Sequence, residues 1–151
     1  SRVARSTTAV FEALGAEVTW VAPTTLLPPH VDRPVVSDLD EVVGDVDVLY
    51  LLRMQRERMT EALVPSLREY TTRFGLTPPR AARLRPETLV MHPGPMNRGV
   101  EMAVDPAELP GAVITQQVTN GIAVRMAVLF DSLASGGSDD PTSDLERPET
   151  A

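Results

Sequence analysis

Cysteine is absent from the chain, and histidine occurs only at His30 and His92. This excludes a disulfide scaffold and a thiolate metal site. Two separated histidines are also a poor basis for a zinc centre, so no metal or other cofactor is expected. Positive charge is scarce as well: 14 basic residues against 21 acidic ones give a net charge of −7, leaving no basic field to hold phosphates. Nucleic acid and anionic membrane surfaces are therefore not expected as partners, and each arginine must act locally. No apolar run approaches the roughly 20 residues that span a bilayer, and no signal-peptide pattern stands at the start. A soluble, cytoplasmic protein is expected. The chain opens on Ser1-Arg2 rather than a methionine, which suggests a piece of something longer.

What the chain does contain suffices for one core: 151 residues at 42% hydrophobic content fit a single domain. Val3, Ala4, Val10, Phe11 and Leu14 fall near helical spacing, and Gly15 is placed to end that helix. Residues 17–22 carry the β-branched and aromatic bias of a strand closed by Pro23. A proline-rich loop over 23–34 follows, and Ser37 or Asp38 could cap a short helix running to Val43. An apolar strand is expected over 46–52. Residues 59–74 read as an amphipathic helix interrupted by Pro65, and 75–79 as a turn and cap for a helix to about Leu84. Residues 88–91 and 113–118 read as strands and 121–133 as a packed helix. Strands alternating with helices imply βαβ units, hence an α/β fold with a Rossmann-like parallel sheet flanked by helices. That domain is expected over 1–134. The acidic tail over 135–151 is rich in Gly, Ser, Asp, Glu and Pro, lacks apolar periodicity and is expected to be disordered.

Chemistry concentrates at two strand ends. The strand over 46–52 runs into Arg53-Met54-Gln55-Arg56-Glu57-Arg58, and the one over 88–91 into His92-Pro93-Gly94-Pro95-Met96-Asn97-Arg98-Gly99. In an open α/β sheet the ligand crevice lies outside the carboxyl ends of the strands. A guanidinium there suits a carboxylate because its planar fork matches two oxygens at once. Two prolines and a glycine where the second strand leaves the sheet impose a bent, rigid backbone that can aim carbonyls at a ligand.

With Ser1-Arg2-Val3-Ala4-Arg5-Ser6 at the start, these motifs closely resemble the second, aspartate-binding domain of the aspartate carbamoyltransferases, in the right order, from Ser1 to about Ser135. The resemblance implies an aspartate/ornithine carbamoyltransferase-type domain serving early pyrimidine synthesis. The family transfers the carbamoyl group of carbamoyl phosphate to L-aspartate, giving N-carbamoyl-L-aspartate and phosphate. By the family pattern Arg2 and Arg53 would bind the aspartate carboxylates, and Gln55, also of the aspartate site, would steer Arg53 and the side-chain carboxylate. The backbone of Gly94 and Pro95 would contact carbamoyl phosphate, across a peptide bond that is commonly cis. Arg98 and Glu101 lie in a segment that could bridge to another domain or subunit. Arg5, Arg56 and Arg58 read as surface charge, His92 as a structural hydrogen-bonding group, and Met54, Met91 and Met96 as packing.

No residue of the chain is identified with certainty as catalytic. The family's carbamoyl phosphate domain, with its Ser-Thr-Arg-Thr loop, has no counterpart here, so the transition-state electrostatics are largely missing. The isolated chain is expected to be inactive, to bind aspartate weakly and to have reduced stability. A strand that precedes Ser1 in the family would be lacking from its sheet. The expected partners are L-aspartate, carbamoyl phosphate, the missing N-terminal domain and, in the full enzyme, two further copies forming a homotrimer. Two other readings stay open: another amino-acid carbamoyltransferase, such as one acting on ornithine, or a non-catalytic domain binding a dicarboxylate or a protein partner.

Overall fold

A computed structural model of the chain describes residues 2–54 and 66–135, in two compact units divided between Ile114 and Thr115. The first unit opens with helix α1, Arg2–Ala13, which ends where Gly15 takes φ +85°, a left-handed conformation natural to glycine. Two aromatic contacts fix α1. The indole N–H of Trp20 donates to Thr8 Oγ1 at 3.0 Å, and Phe11 meets Tyr50 edge-on with ring centroids 6.2 Å apart.

Strand β1, Trp20–Val21, pairs in parallel with β2, Val35–Val36. Strand β3, Val48–Tyr50, pairs in parallel with β4, Leu89–Met91, in the register Val48↔Leu89, Leu49↔Val90 and Tyr50↔Met91. The parallel α/β arrangement is the expected one, but β2 falls at residues given no strand reading from sequence, and β1, β3 and β4 each cover only part of an expected strand. Leu49, Leu51 and Val90 join Leu39, Val43, Leu76, Met102 and Ile114 in the core. The segment after β2 forms a single 3₁₀ turn, Leu39–Glu41. Asp38 rather than Ser37 caps it: its side chain accepts from the Asp40 N–H while Glu41 reaches back to the Asp38 N–H at 3.0 Å.

Helix α2, Leu67–Phe74, is capped by Ser66, whose hydroxyl accepts from the Glu69 N–H; the earlier part of the expected helix falls outside the described residues. Helix α3, Pro78–Ala81, follows Thr77 with prolines in its first turn, where a missing N–H costs nothing. The expected strand over 113–118 is not formed. Ala112 makes one isolated bridge to Val90, and helix α4, Ile114–Ser135, begins two residues later. Val113, Ile114, Thr115 and Val118 have strand propensity, but backbone context overrides it.

The second unit, Thr115–Ala151, contains nearly all of α4. A packed helix was expected here, yet Val118, Ile122, Val128, Leu129, Phe130 and Leu133 are between 55% and 79% exposed. Residues 136–151, where the tail was expected to be disordered, lie outside the described ones. Among the described residues no helix is long and apolar enough to cross a membrane.

Candidate functional site at the ends of the paired strands

The register of β3 and β4 builds the site. Tyr50 stands beside Met91, and the Leu51 N–H still donates to the Met91 carbonyl at 2.9 Å. Three residues beyond each partner come Arg53 and Gly94. Because the strands are parallel, both emerge at the same carboxyl edge, where an α/β sheet presents its ligand crevice. Arg53 is half-buried there.

The loop after β4 is tightly specified. Gly94 takes φ +62°, and the Gly94–Pro95 peptide is cis, the form the family resemblance implies. His92 is buried, and its Nδ1 accepts from the Gly94 N–H at 2.9 Å. An accepting Nδ1 carries no proton, so the ring N–H sits at Nε2, which faces Glu101 Oε1 at 3.4 Å. His92 thus holds its own loop, the structural role favoured by its position in the sequence.

Glu101 lies at the far end of that loop and is 1% exposed. Its Oε1 accepts from the Asn97 N–H at 2.5 Å. Burial pushes the Glu101 carboxyl upward, but the contacts from His92 and from the Asn97 and Glu101 backbone outweigh it and hold the group below its ordinary value. The Glu101 carbonyl accepts from the Leu76 N–H at 3.0 Å, and the Leu76 carbonyl accepts from the Ala103 N–H at 2.9 Å, so this segment is stitched to the end of α2. Nearby Tyr70 is pushed up to about 12 by its burial and by the negative charge of Glu101.

The residues singled out by sequence therefore distribute unevenly. Arg53, Gly94 and Pro95 share one sheet edge. Arg2 is the exposed first residue of α1, a different element, and Gln55, Arg56 and Arg58 lie outside the described residues. Arg98 is on the surface, 76% exposed, with its guanidinium 3.8 Å from Asp105. Glu101 differs from the outward bridge considered for it: its carboxylate turns inward, because the Asn97 N–H and His92 satisfy it there. Met54 is buried and Met96 packs on the core, as expected of packing residues. Asn97 drew no separate reading from sequence, yet its side-chain amide donates to the Met54 carbonyl at 3.0 Å and so joins the two loops. A polar side chain just past a proline-rigidified turn was its one signal. Among the described residues no group of three or more His, Cys, Asp or Glu is placed to hold a metal.

Residues 1–131 match the family described as aspartate/ornithine carbamoyltransferase, Asp/Orn binding domain. The aspartate carbamoyltransferase catalytic subunit of a Nocardioides species is 52% identical over 146 residues, covering 95% of this chain and 44% of that protein. The catalytic subunit from Thermobifida fusca is 51% identical over 141 residues, covering 91% of this chain and 44% of its own length. Among solved structures, aspartate transcarbamoylase from Trypanosoma cruzi in complex with carbamoyl aspartate and phosphate is similar with a TM-score of 0.63 at 29% identity, over 74% of this chain and 39% of that one. The chain thus spans less than half the length of the curated relatives it matches.

Proposed function

The chain belongs to the aspartate/ornithine carbamoyltransferase family, as an Asp/Orn-binding domain, and from that premise we propose that it is the aspartate-binding half of an aspartate carbamoyltransferase. The observation that carries this reading is the shared edge at which the parallel register delivers Arg53 and the Gly94–Pro95 backbone. In the proposed reaction the amine of L-aspartate attacks the carbonyl carbon of carbamoyl phosphate. A tetrahedral intermediate forms, the carbon–oxygen bond to phosphate breaks, phosphate leaves, and the nitrogen loses a proton. Little covalent chemistry is asked of the protein, so its task is to neutralise a dicarboxylate and hold the amine within attacking range.

Arg53 is assigned to an aspartate carboxylate, with Arg2 as the second clamp and Gln55 steering Arg53. Gly94 and Pro95 are assigned to carbamoyl phosphate, and Arg98, exposed on the surface, to a bridge with another domain or subunit. A carbamoyl phosphate domain elsewhere in the parent protein, a homotrimer and a cytoplasmic location complete the proposal. The length of the relatives supports the first of these, since more than half of each lies outside the matched region.

The test is carbamoyl transfer by the full-length parent protein, with aspartate and ornithine offered in competition. Carbamoyl-aspartate is the expected product. Arg53→Ala should raise the KM for aspartate roughly a hundredfold, the loss expected when a charge-assisted pair worth about 2 to 3 kcal/mol is removed. Preferential carbamoylation of ornithine, or no product from the unmodified enzyme, would overturn the assignment.

A further inference from the structure

The two loops of the site are joined by a hydrogen bond, from the Asn97 side-chain amide to the Met54 carbonyl, in addition to the strands beneath them. We propose that Asn97 and Glu101 are positioning residues that fix the spacing between the Arg53 carboxylate clamp and the Gly94–Pro95 backbone. The proposal rests on the reading of the site given above.

Glu101 is the anchor. Its main chain is tied to buried Leu76, and its carboxylate meets both ends of the loop: the Asn97 N–H at 2.5 Å and His92 Nε2 at 3.4 Å. His92 passes the constraint on by accepting from the Gly94 N–H. Asn97 then carries it to the other loop. Its Nδ2 donates to the carbonyl of buried Met54, the residue directly after Arg53. A path therefore runs from Gly94 through His92, Glu101 and Asn97 to the backbone beside Arg53, hydrogen-bonded at every step but the 3.4 Å contact between His92 and Glu101. Neither Asn97 nor Glu101 need touch substrate. Their effect is on distance, and near-attack geometry is sensitive to it: a displacement of about 1 Å can cost roughly a hundredfold in rate.

The two residues should separate in kinetics. Asn97→Ala removes the bond to Met54 but keeps the backbone N–H on Glu101, so the Gly94 side of the site stays in place. Asn97→Asp keeps the shape and removes the donor. In the full-length parent enzyme at 25 °C, both variants should raise the KM for aspartate roughly tenfold and leave the KM for carbamoyl phosphate unchanged, with the unfolding temperature within about 5 °C of the original. Glu101→Gln, which disturbs the anchor itself, should raise both KM values. If it does not fold, the Asn97 pair carries the test alone.

A KM for carbamoyl phosphate that rises as much as that for aspartate in the Asn97 variants would signify a general loss of the site rather than a change of spacing, and would overturn the proposal. So would unmodified aspartate kinetics in Asn97→Asp, which would mean that no donor is needed. Absence of carbamoyl-aspartate from the unmodified parent enzyme would instead remove the functional reading itself, so the two failures are told apart by the control.

Discussion

Arg80 and Glu101 are both buried, at 4% and 1% exposure, but their surroundings differ. Arg80 makes four hydrogen bonds: Nε to Asp40 at 3.1 Å, one terminal nitrogen to the Gly75 carbonyl at 2.8 Å, and the other to Asp38 at 2.7 Å and Asp40 at 2.8 Å. Arg83 closes on Asp40 from outside. Glu101 receives one short backbone bond and one long contact from His92, and among the described residues its Oε2 has no hydrogen-bond partner. A nearly saturated guanidinium behaves as a rivet between α3 and the Leu39–Glu41 turn. A partly satisfied carboxylate that meets both ends of its own loop adds less to stability, and its placement is better explained by what it orients.

The largest expected effect lies on the Arg80 side. Arg80→Ala would leave Asp38, Asp40 and the Gly75 carbonyl without their shared donor. Asp38 and Asp40 are partly exposed and Asp40 keeps Arg83, so the loss falls mainly on the Gly75 carbonyl and should cost about 1 to 3 kcal/mol. Urea unfolding of the chain should show a lowered midpoint, or no cooperative transition. An unchanged midpoint would mean that the cluster contributes nothing net, and the contrast with Glu101 would fail.

Acid should weaken both clusters. Hydrogen bonding from Arg80 holds the Asp40 carboxyl below its ordinary 3.8, against the opposing effect of burial, and the Arg80 and Arg83 charges assist. Glu101 is held below its ordinary 4.5. A carboxyl depressed in the folded state stabilises the fold above its unfolded value, because the unfolded chain takes up the proton first as pH falls. Folding free energy should therefore decline as pH is lowered below about 5, and Glu101→Gln should make that decline shallower. Equal slopes in the two proteins would show that Glu101 is not held ionised by its loop.

How much of this was legible in the sequence follows from the range of the interactions. The β3 and β4 strands, a cap at Ser37 or Asp38 and the end of α1 at Gly15 are local and legible in the sequence, and the cis Gly94–Pro95 bond follows from the family resemblance of a short motif. Arg80 gave no signal, because its partners lie forty residues away and a single arginine in a short helix reads as surface charge. Asn97 is similar: its partner Met54 is 43 residues distant. The start of α4 was misread because Val113 to Val118 mixes β-branched residues with glutamines, and neither period dominates. The exposed apolar side chains of α4 could not be anticipated either, since periodicity marks an apolar face but says nothing of whether anything covers it.

The smallest effect, and the finest test of the contrast, concerns Tyr70. Its ring packs near Phe74 with centroids 5.2 Å apart. Burial, reinforced by the charge of Glu101, pushes its hydroxyl up to about 12 from an ordinary 10.0. Here the neutral form is favoured in the folded state, so its contribution is present below the unfolded value and lost as pH rises from about 10 towards 12. Tyr70→Phe cannot ionise and should retain stability across that window while the original loses it. Near-ultraviolet titration adds the coupling: in Glu101→Gln the phenol should ionise at lower pH, because the neighbouring negative charge is gone while the burial remains. If the phenol titrates identically in both proteins, burial alone sets its behaviour, and the charge on Glu101 is felt only by the loop it holds.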